Sequence, residues 1–227
     1  MSMLLNNHYS MSTPTPRGAF IVFEGLDRCG KSTQVDRLVG QLEKQGRKAR
    51  LQKFPDRTTQ IGKMIDAYLQ SKAEMDDHAI HLLFSANRWE CAEGIKRDLA
   101  AGITVIADRY AFSGIAFSAA KGLPFDFCLH PDTALPLPDL TLYLTLPPAS
   151  AAQRSAFGTE RYETVAIQQA VREQFKLVQE QVVQRHGEER WVEVNAEGTI
   201  EEVGERIGVL VAGVAAGREG DVGQLWV

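Results

Sequence analysis

The sequence predicts a three-layer α/β fold, in which a five-stranded parallel sheet is covered by helices on both faces. Three observations lead there. Short apolar runs alternate with helical patterns along most of the chain, as successive βαβ units require. The first run leads into Gly25-Leu26-Asp27-Arg28-Cys29-Gly30-Lys31-Ser32 and then a helix, the strand-turn-helix setting of a G-x-x-x-x-G-K-[ST] phosphate-binding loop. A later strand ends in Asp108-Arg109, at the strand end where open parallel sheets bind their ligands.

The elements follow in order. Ala19-Phe20-Ile21-Val22-Phe23 is the first strand, and Val35, Leu38, Val39 and Leu42 are spaced for the first helix. Between them, Gly25 and Gly30 let the backbone turn so that its N–H groups converge on an anion at a helix N-terminus. Lys31 reaches outer phosphates there, and the Ser32 hydroxyl is placed for Mg2+, with Thr33 behind it. Lys48 to Phe54 alternates as a second strand and stops at Phe54-Pro55-Asp56-Arg57, where X-Pro permits a cis bond. A helix is expected from about Thr59 to Leu69, with Ile61, Met64, Ile65 and Leu69 on one face.

Asp76 and Asp77 begin a long helix whose apolar positions Ile80, Phe84, Cys91, Ile95 and Leu99 recur until Gly102. Arg88 falls one turn after Phe84 on the inward face, so it either bridges a buried carboxylate or faces a ligand cavity. Ile103 to Ala107 reads as a strand buried on both faces and ending in Asp108, the position that holds Mg2+ beside a phosphate loop. A helix from Phe112 to Lys121 comes next, then a short helix and loop over residues 125–138. Leu140 to Leu146 is a strand closed by Pro147-Pro148. Residues 149–163, rich in charge and poor in apolar periodicity, read as a mobile lid or as a solvated helix face. A helix from about Thr164 to Arg185, a strand Trp191 to Asn195 and a helix Ile200 to Leu210 complete the pattern.

Composition bounds the rest. Hydrophobic content of 44% in 227 residues suits one globular domain, expected over residues 18–212. A net charge of −4 leaves no global basic field for nucleic acid or an anionic membrane, so an anionic ligand must be met by local arginines and lysines. Cys29, Cys91 and Cys128 are too scattered for a disulfide framework or metal clip, which points to a reducing compartment, the cytoplasm with the nucleus also open. Cys29 lies at a helix N-terminus where a thiol can be activated, although gap filling is the simpler role. Residues 1–17 are polar and expected to be disordered, with no apolar stretch of a signal peptide, and residues 207–216 are too short to span a bilayer. Residues 213–227 read as a loose tail, with Leu225-Trp226 tucked back as an anchor.

Taken together, Gly25 to Ser32, Phe54 to Arg57, Leu83-Phe84-Ser85-Ala86-Asn87-Arg88-Trp89 and Asp108-Arg109-Tyr110-Ala111-Phe112-Ser113-Gly114 closely resemble the thymidylate kinases of the eukaryotic type. The likeness runs from about Ala19 to Gly208 and touches Gly223 to Trp226. A phosphate loop alone is shared by many NTPases, but four motifs in this order are far more specific. The resemblance implies a P-loop kinase fold that transfers the γ-phosphoryl group of Mg-ATP to dTMP, in a homodimer. Arg28 and Lys31 would bracket the donor phosphates, Asp27 would meet the sugar 3′-hydroxyl, and Arg57 and Arg109 would hold the acceptor phosphate, with Phe54 beside them. Ser32 and Asp108 would serve Mg2+. Phe84 offers the base a stacking face, and Arg88 offers donors that suit O4 of thymine better than the amino group of cytosine. Phe117 would crowd the sugar 2′-carbon, Ser113 and Gly114 would lie near the methyl pocket, Arg154 would stack on adenine and Tyr162 would cover the acceptor. Cys29 departs from the alanine usual in similar proteins.

Competing functions fare worse. Deoxynucleoside kinases and other nucleoside monophosphate kinases share the loop, yet Arg57 and Arg109 favour an acceptor that already carries phosphate. A GTPase switch needs an Asn-Lys-x-Asp segment, and the chain has no Asn-Lys pair. A non-catalytic nucleotide binder would not need Arg28, Lys31, Ser32 and Asp108 together.

Overall fold

In a computed structural model, residues 16–147, 161–162 and 164–227 are described. Among the described residues the strands and α-helices are β1 (Phe20–Gly25), α1 (Lys31–Lys44), β2 (Ala49–Lys53), α2 (Gln60–Leu69), α3 (Asp77–Ala100), β3 (Thr104–Asp108), α4 (Ala111–Ala119), α5 (Phe125–Leu129), β4 (Leu140–Thr145), α6 (Val165–His186), β5 (Trp191–Asn195) and α7 (Ile200–Ala215). The five strands pair in parallel in the order β2-β3-β1-β4-β5.

The central strands are buried on both faces, which is why β1 reads as an apolar run interrupted only by Glu24. Phe20 and Val22 pack on one side with Ala92, Ile95, Phe112 and Phe175 of α3, α4 and α6. Ile21 and Phe23 pack on the other with Val35 and Leu38 of α1 and Val203 and Ile207 of α7. A smaller cluster of Ile65, Tyr68, Leu69 and Ile80 joins α2 to α3. Asp76 caps α3 through the N–H groups of His78 and Ala79, so the acidic pair in the sequence does mark its start. Thr59 and Thr164 cap α2 and α6 in the same way.

The ends of the described chain depart from their sequence reading. The last helix continues through Gly213 to Ala215 because Val211 and Ala215 remain on its buried face. Beyond it the chain is tied down rather than loose: Arg218 exchanges backbone hydrogen bonds with Arg17, and Leu225 does so with Leu135 and Ala134. Leu225 and Trp226 are buried against Phe112 and its neighbours, as the anchor reading anticipated. Arg17, placed in the disordered extension, is ordered by Asp139, whose carboxylate it grips through two nitrogens at 2.7 Å each. The rest of that extension, residues 1–15, lies outside the described residues, as do residues 148–160 and Glu163 of the lid.

Asp139 also accepts the Phe20 amide at 2.9 Å and has Arg218 and Arg190 at 3.6 and 3.9 Å, so one buried carboxylate ties three distant stretches to the start of β1. Asp139→Ala, which leaves Arg17 without its counter-charge, is expected to cost about 3–5 kcal/mol of stability. Urea unfolding checks this, and a loss under about 1 kcal/mol would make the cluster a surface ornament.

Candidate functional site

The turn from β1 into α1 wraps around an anion-sized space. Gly25 (φ 139°) and Gly30 (φ 92°) both take conformations that suit only glycine, and a Cβ on Gly25 would meet the Leu144 carbonyl at 2.5 Å. Lys31 lies along this turn with Nζ donating to the carbonyls of Gly25 and Leu26 at 3.1 and 2.6 Å. Ser32 Oγ donates to Asp108 Oδ2 at 2.5 Å. That pairing follows from register, because Phe23 on β1 sits opposite Asp108 on β3 and the two strand ends open side by side. Cys29 is buried with Sγ 3.6 Å from Lys31 Nζ, so it fills the underside of the loop, as the gap-filling reading held.

Asp27 and Arg109 form an ion pair across the mouth of the loop. Arg109 also donates to the Gly25 carbonyl and to Ser113 Oγ, each at 3.0 Å. Arg28 and Arg109 share a left-handed φ of 66°, a costly backbone state that concentrates at functional sites. Beneath them lies Glu24, fully buried on β1, accepting the amides of Tyr110 and Ser113 at 2.9 Å and the Ser113 hydroxyl. Burial drives its carboxyl above the usual range, partly countered by the charge of Arg109 and these donors. Burial also works against the Arg109 charge, but Asp27, Glu24 and Asp108 outweigh it and hold the guanidinium more firmly protonated than usual.

Two cavities flank this pair. The larger, about 1160 Å³, runs from the phosphate loop with Arg28, Lys31, Ser32 and Thr33 to Gly198 and Thr199 after β5. The smaller, about 130 Å³, holds Phe84, Arg88, Ser113, Gly114, Phe117 and Tyr162. Asp27, Phe54, Pro55, Arg57 and Arg109 line both. The Phe54-Pro55 bond is cis. The turn after it is clamped to α3 by Asn87, which accepts the Asp56 amide at 2.7 Å and donates to the Asp56 carbonyl at 3.2 Å. Arg57 reaches Asp66 on α2 at 2.6 Å.

In the smaller pocket the Tyr162 and Phe117 rings lie 5.5 Å apart, and the Arg109 guanidinium stands 5.3 Å from the Phe117 ring. Arg88 satisfies both of its sequence readings. Its Nε and Nη2 donate to the two oxygens of Asp132 at 3.0 and 2.7 Å, and the same side chain lines the pocket. His81, hydrogen-bonded to Ser118 Oγ at 2.8 Å, has its pKa lowered to about 4 by burial and by the charge of Arg88. It therefore stays neutral near pH 7 and leaves Asp132 with a single cationic partner.

The fold thus gathers at one cleft Gly25, Asp27, Arg28, Gly30, Lys31, Ser32, Thr33, Phe54, Arg57, Phe84, Arg88, Asp108, Arg109, Ser113, Gly114, Phe117 and Tyr162. Arg154 lies outside the described residues. Arg161, counted with the lid, turns away to bind the Tyr68 and Ala73 carbonyls and Glu74. Four residues were given no role in the sequence reading, Asn87 being named there only as part of a motif. Glu24 and Asp132 hold Arg109 and Arg88 in the ways described, Asn87 holds the turn of Arg57, and Gln168 of α6 bonds both the Asp27 carboxylate at 2.6 Å and the Tyr162 carbonyl at 3.0 Å. A charged residue inside an otherwise apolar strand was a visible signal for Glu24; Gln168 carried none.

Comparison with known proteins agrees with this arrangement. The family profile described as thymidylate kinase matches residues 23–207. The chain is 50% identical to a thymidylate kinase of Schizosaccharomyces pombe, over 87% of this chain and 93% of that protein. It is 47% identical to a thymidylate kinase of Homo sapiens, over 92% and 98% respectively. A solved structure of thymidylate kinase from Candida albicans superposes with a TM-score of 0.83 at 36% identity, covering 93% of this chain and 99% of the other.

Proposed function

The chain belongs to the thymidylate kinase family, and from that membership we propose that it transfers the γ-phosphoryl group of ATP to dTMP, giving dTDP on the route to dTTP. One observation carries the assignment: the two cavities share a wall made of Asp27, Phe54, Pro55, Arg57 and Arg109, so a donor in one and an acceptor in the other meet at two guanidinium groups. An acceptor phosphate oxygen attacks the γ-phosphorus while the bond to the β–γ bridging oxygen breaks, leaving ADP. Catalysis of such a step is positioning plus charge stabilisation.

Each residue's part follows from its place. Lys31 and Arg28 draw charge off the donor phosphates. Arg109 and Arg57 hold the acceptor phosphate in line with them, with planar donors that fit phosphate oxygens pairwise. Asp27 positions the sugar through its 3′-hydroxyl, and Phe117 disfavours a 2′-hydroxyl. Phe84 stacks on the base and Arg88 donates to its O4. Ser113 and Gly114 leave room for the methyl group, while Tyr162 covers the acceptor. Arg154 would stack on adenine in a lid over residues 149–163 of the single domain spanning 18–212.

Mg2+ suits the paired oxygens of Ser32 and Asp108, since this ion takes few protein ligands and completes its shell with phosphates and water. When bound it neutralises charge on the donor phosphates.

The protein is proposed to act as a homodimer in the cytoplasm or nucleus. Met64 on α2 and Leu82 and Trp89 on α3 are large apolar side chains between 40% and 47% exposed, an apolar surface that a second copy could cover. No helix among the described residues is long and apolar enough to cross a membrane.

The assignment predicts that, with Mg-ATP, dTMP is phosphorylated at least about tenfold more efficiently than dCMP, UMP, AMP or thymidine itself. A coupled assay across that panel tests it, and preference for the unphosphorylated nucleoside would overturn it.

A further inference from the structure

We propose that Asp132, outside both cavities, is the positioning residue that gives this enzyme its acceptor-base specificity, by fixing the orientation of Arg88; the proposal rests on the dTMP assignment above. A base edge is read by the direction of its donors, so an arginine that can swivel discriminates poorly. Arg88 cannot swivel. Its guanidinium is gripped along the Nε and Nη2 edge by both oxygens of Asp132, and the two side chains are 3% and 0% exposed. Its Nη end lies against Gly114, where an added Cβ would come within 2.8 Å of Nη1 and Nη2. With that edge committed, the N–H groups of Nη1 and the second one of Nη2 are the donors left for the pocket that Arg88 and Gly114 line together.

Asp132 is itself held. Ser85, one turn before Arg88 on α3, donates to Asp132 Oδ1 at 2.7 Å and to the Pro131 carbonyl at 3.0 Å, while Trp89 Nε1 donates to that same carbonyl at 2.9 Å. Three side chains from adjacent turns of α3, Ser85, Arg88 and Trp89, thus lock the short helical turn His130–Asp132. The carboxylate also keeps the guanidinium from acting as an unpaired buried charge, so Arg88 can present donors at the base without ordering a counter-ion from solvent.

The test is steady-state kinetics of Asp132→Asn and Ser85→Ala with dTMP and dCMP, beside Arg88→Ala as a reference. In Asp132→Asn one oxygen becomes an amide donor facing a guanidinium donor, so Arg88 loses its fixed pose. KM for dTMP should rise about tenfold or more with kcat and the ATP KM within about threefold, and the dTMP over dCMP preference should fall about tenfold. Ser85→Ala, which keeps the carboxylate and removes one of its supports, should move the same ratio in the same direction by about two- to fivefold. Thermal unfolding reports whether each variant folds; should Asp132→Asn fail to, Ser85→Ala decides. An unchanged base preference in a folded variant, or equal losses toward ATP and dTMP, would overturn the role of Asp132. A wild-type enzyme that does not prefer dTMP would instead overturn the assignment it rests on.

Discussion

Arg109→Ala is expected to lower kcat by about a thousandfold, a barrier increase of about 4 kcal/mol, with the ATP KM changed by less than about threefold. Arg109 stands where the two cavities meet, held by Asp27, the Gly25 carbonyl and Ser113, and backed by buried Glu24. Arg57 approaches from the opposite turn, so it contacts the acceptor phosphate from another side and does not replace Arg109. Arg109→Lys should recover little of the loss: an ammonium cannot donate in parallel to Asp27, Gly25 and a phosphate. Single-turnover kinetics with Mg-ATP and dTMP measures the effect, and thermal unfolding separates it from damage to the fold. A loss under about tenfold would remove Arg109 from the transferring phosphate.

Lys31→Ala should be comparably severe but fall on the other substrate. Nζ lies in the mouth of the phosphate loop, bonded to the Gly25 and Leu26 carbonyls, which otherwise turn negative dipoles toward an anion. Its removal withdraws the cation and exposes those dipoles together. ATP affinity is expected to fall at least about tenfold and kcat about a thousandfold, while equilibrium binding of dTMP alone changes by less than about threefold. Calorimetric titration of each nucleotide distinguishes the two effects. Equal weakening of both would mean that the loop had lost its shape rather than its charge.

The architecture was legible because β1, β3 and β4 are buried on both faces and spelled mainly as apolar runs, the partly buried edge strands β2 and β5 mix polar with apolar residues, and the helices are spelled at their own period between. The phosphate loop and the Asp108-Arg109 strand end were legible for a related reason, since their chemistry is written in adjacent residues. What escaped was polar and distant. Asp132 meets Arg88 across 44 positions, Glu24 meets Ser113 across 89, and Gln168 meets Asp27 across 141. No local period marks such residues, because tertiary packing alone creates their burial. Arg88 shows the intermediate case: its inward position on α3 required a partner or a ligand, and only the packed structure supplied both. The tail was misread because glycine composition weighs against order locally, whereas Asp139, Leu135 and the core behind Leu225 supply that order from elsewhere.

The register that sets Phe23 opposite Asp108 has a mechanical consequence. Asp108 ends β3, and Ser32 sits in the first turn of α1, which the phosphate loop joins to the neighbouring strand β1, so both are anchored to central strands whose ladder hydrogen bonds open only when the whole domain opens. Arg57 hangs instead from a turn between the edge strand β2 and α2, fastened by Asn87. The cleft is therefore stiff where the phosphate loop, Asp108 and Arg109 meet, and more compliant at Arg57.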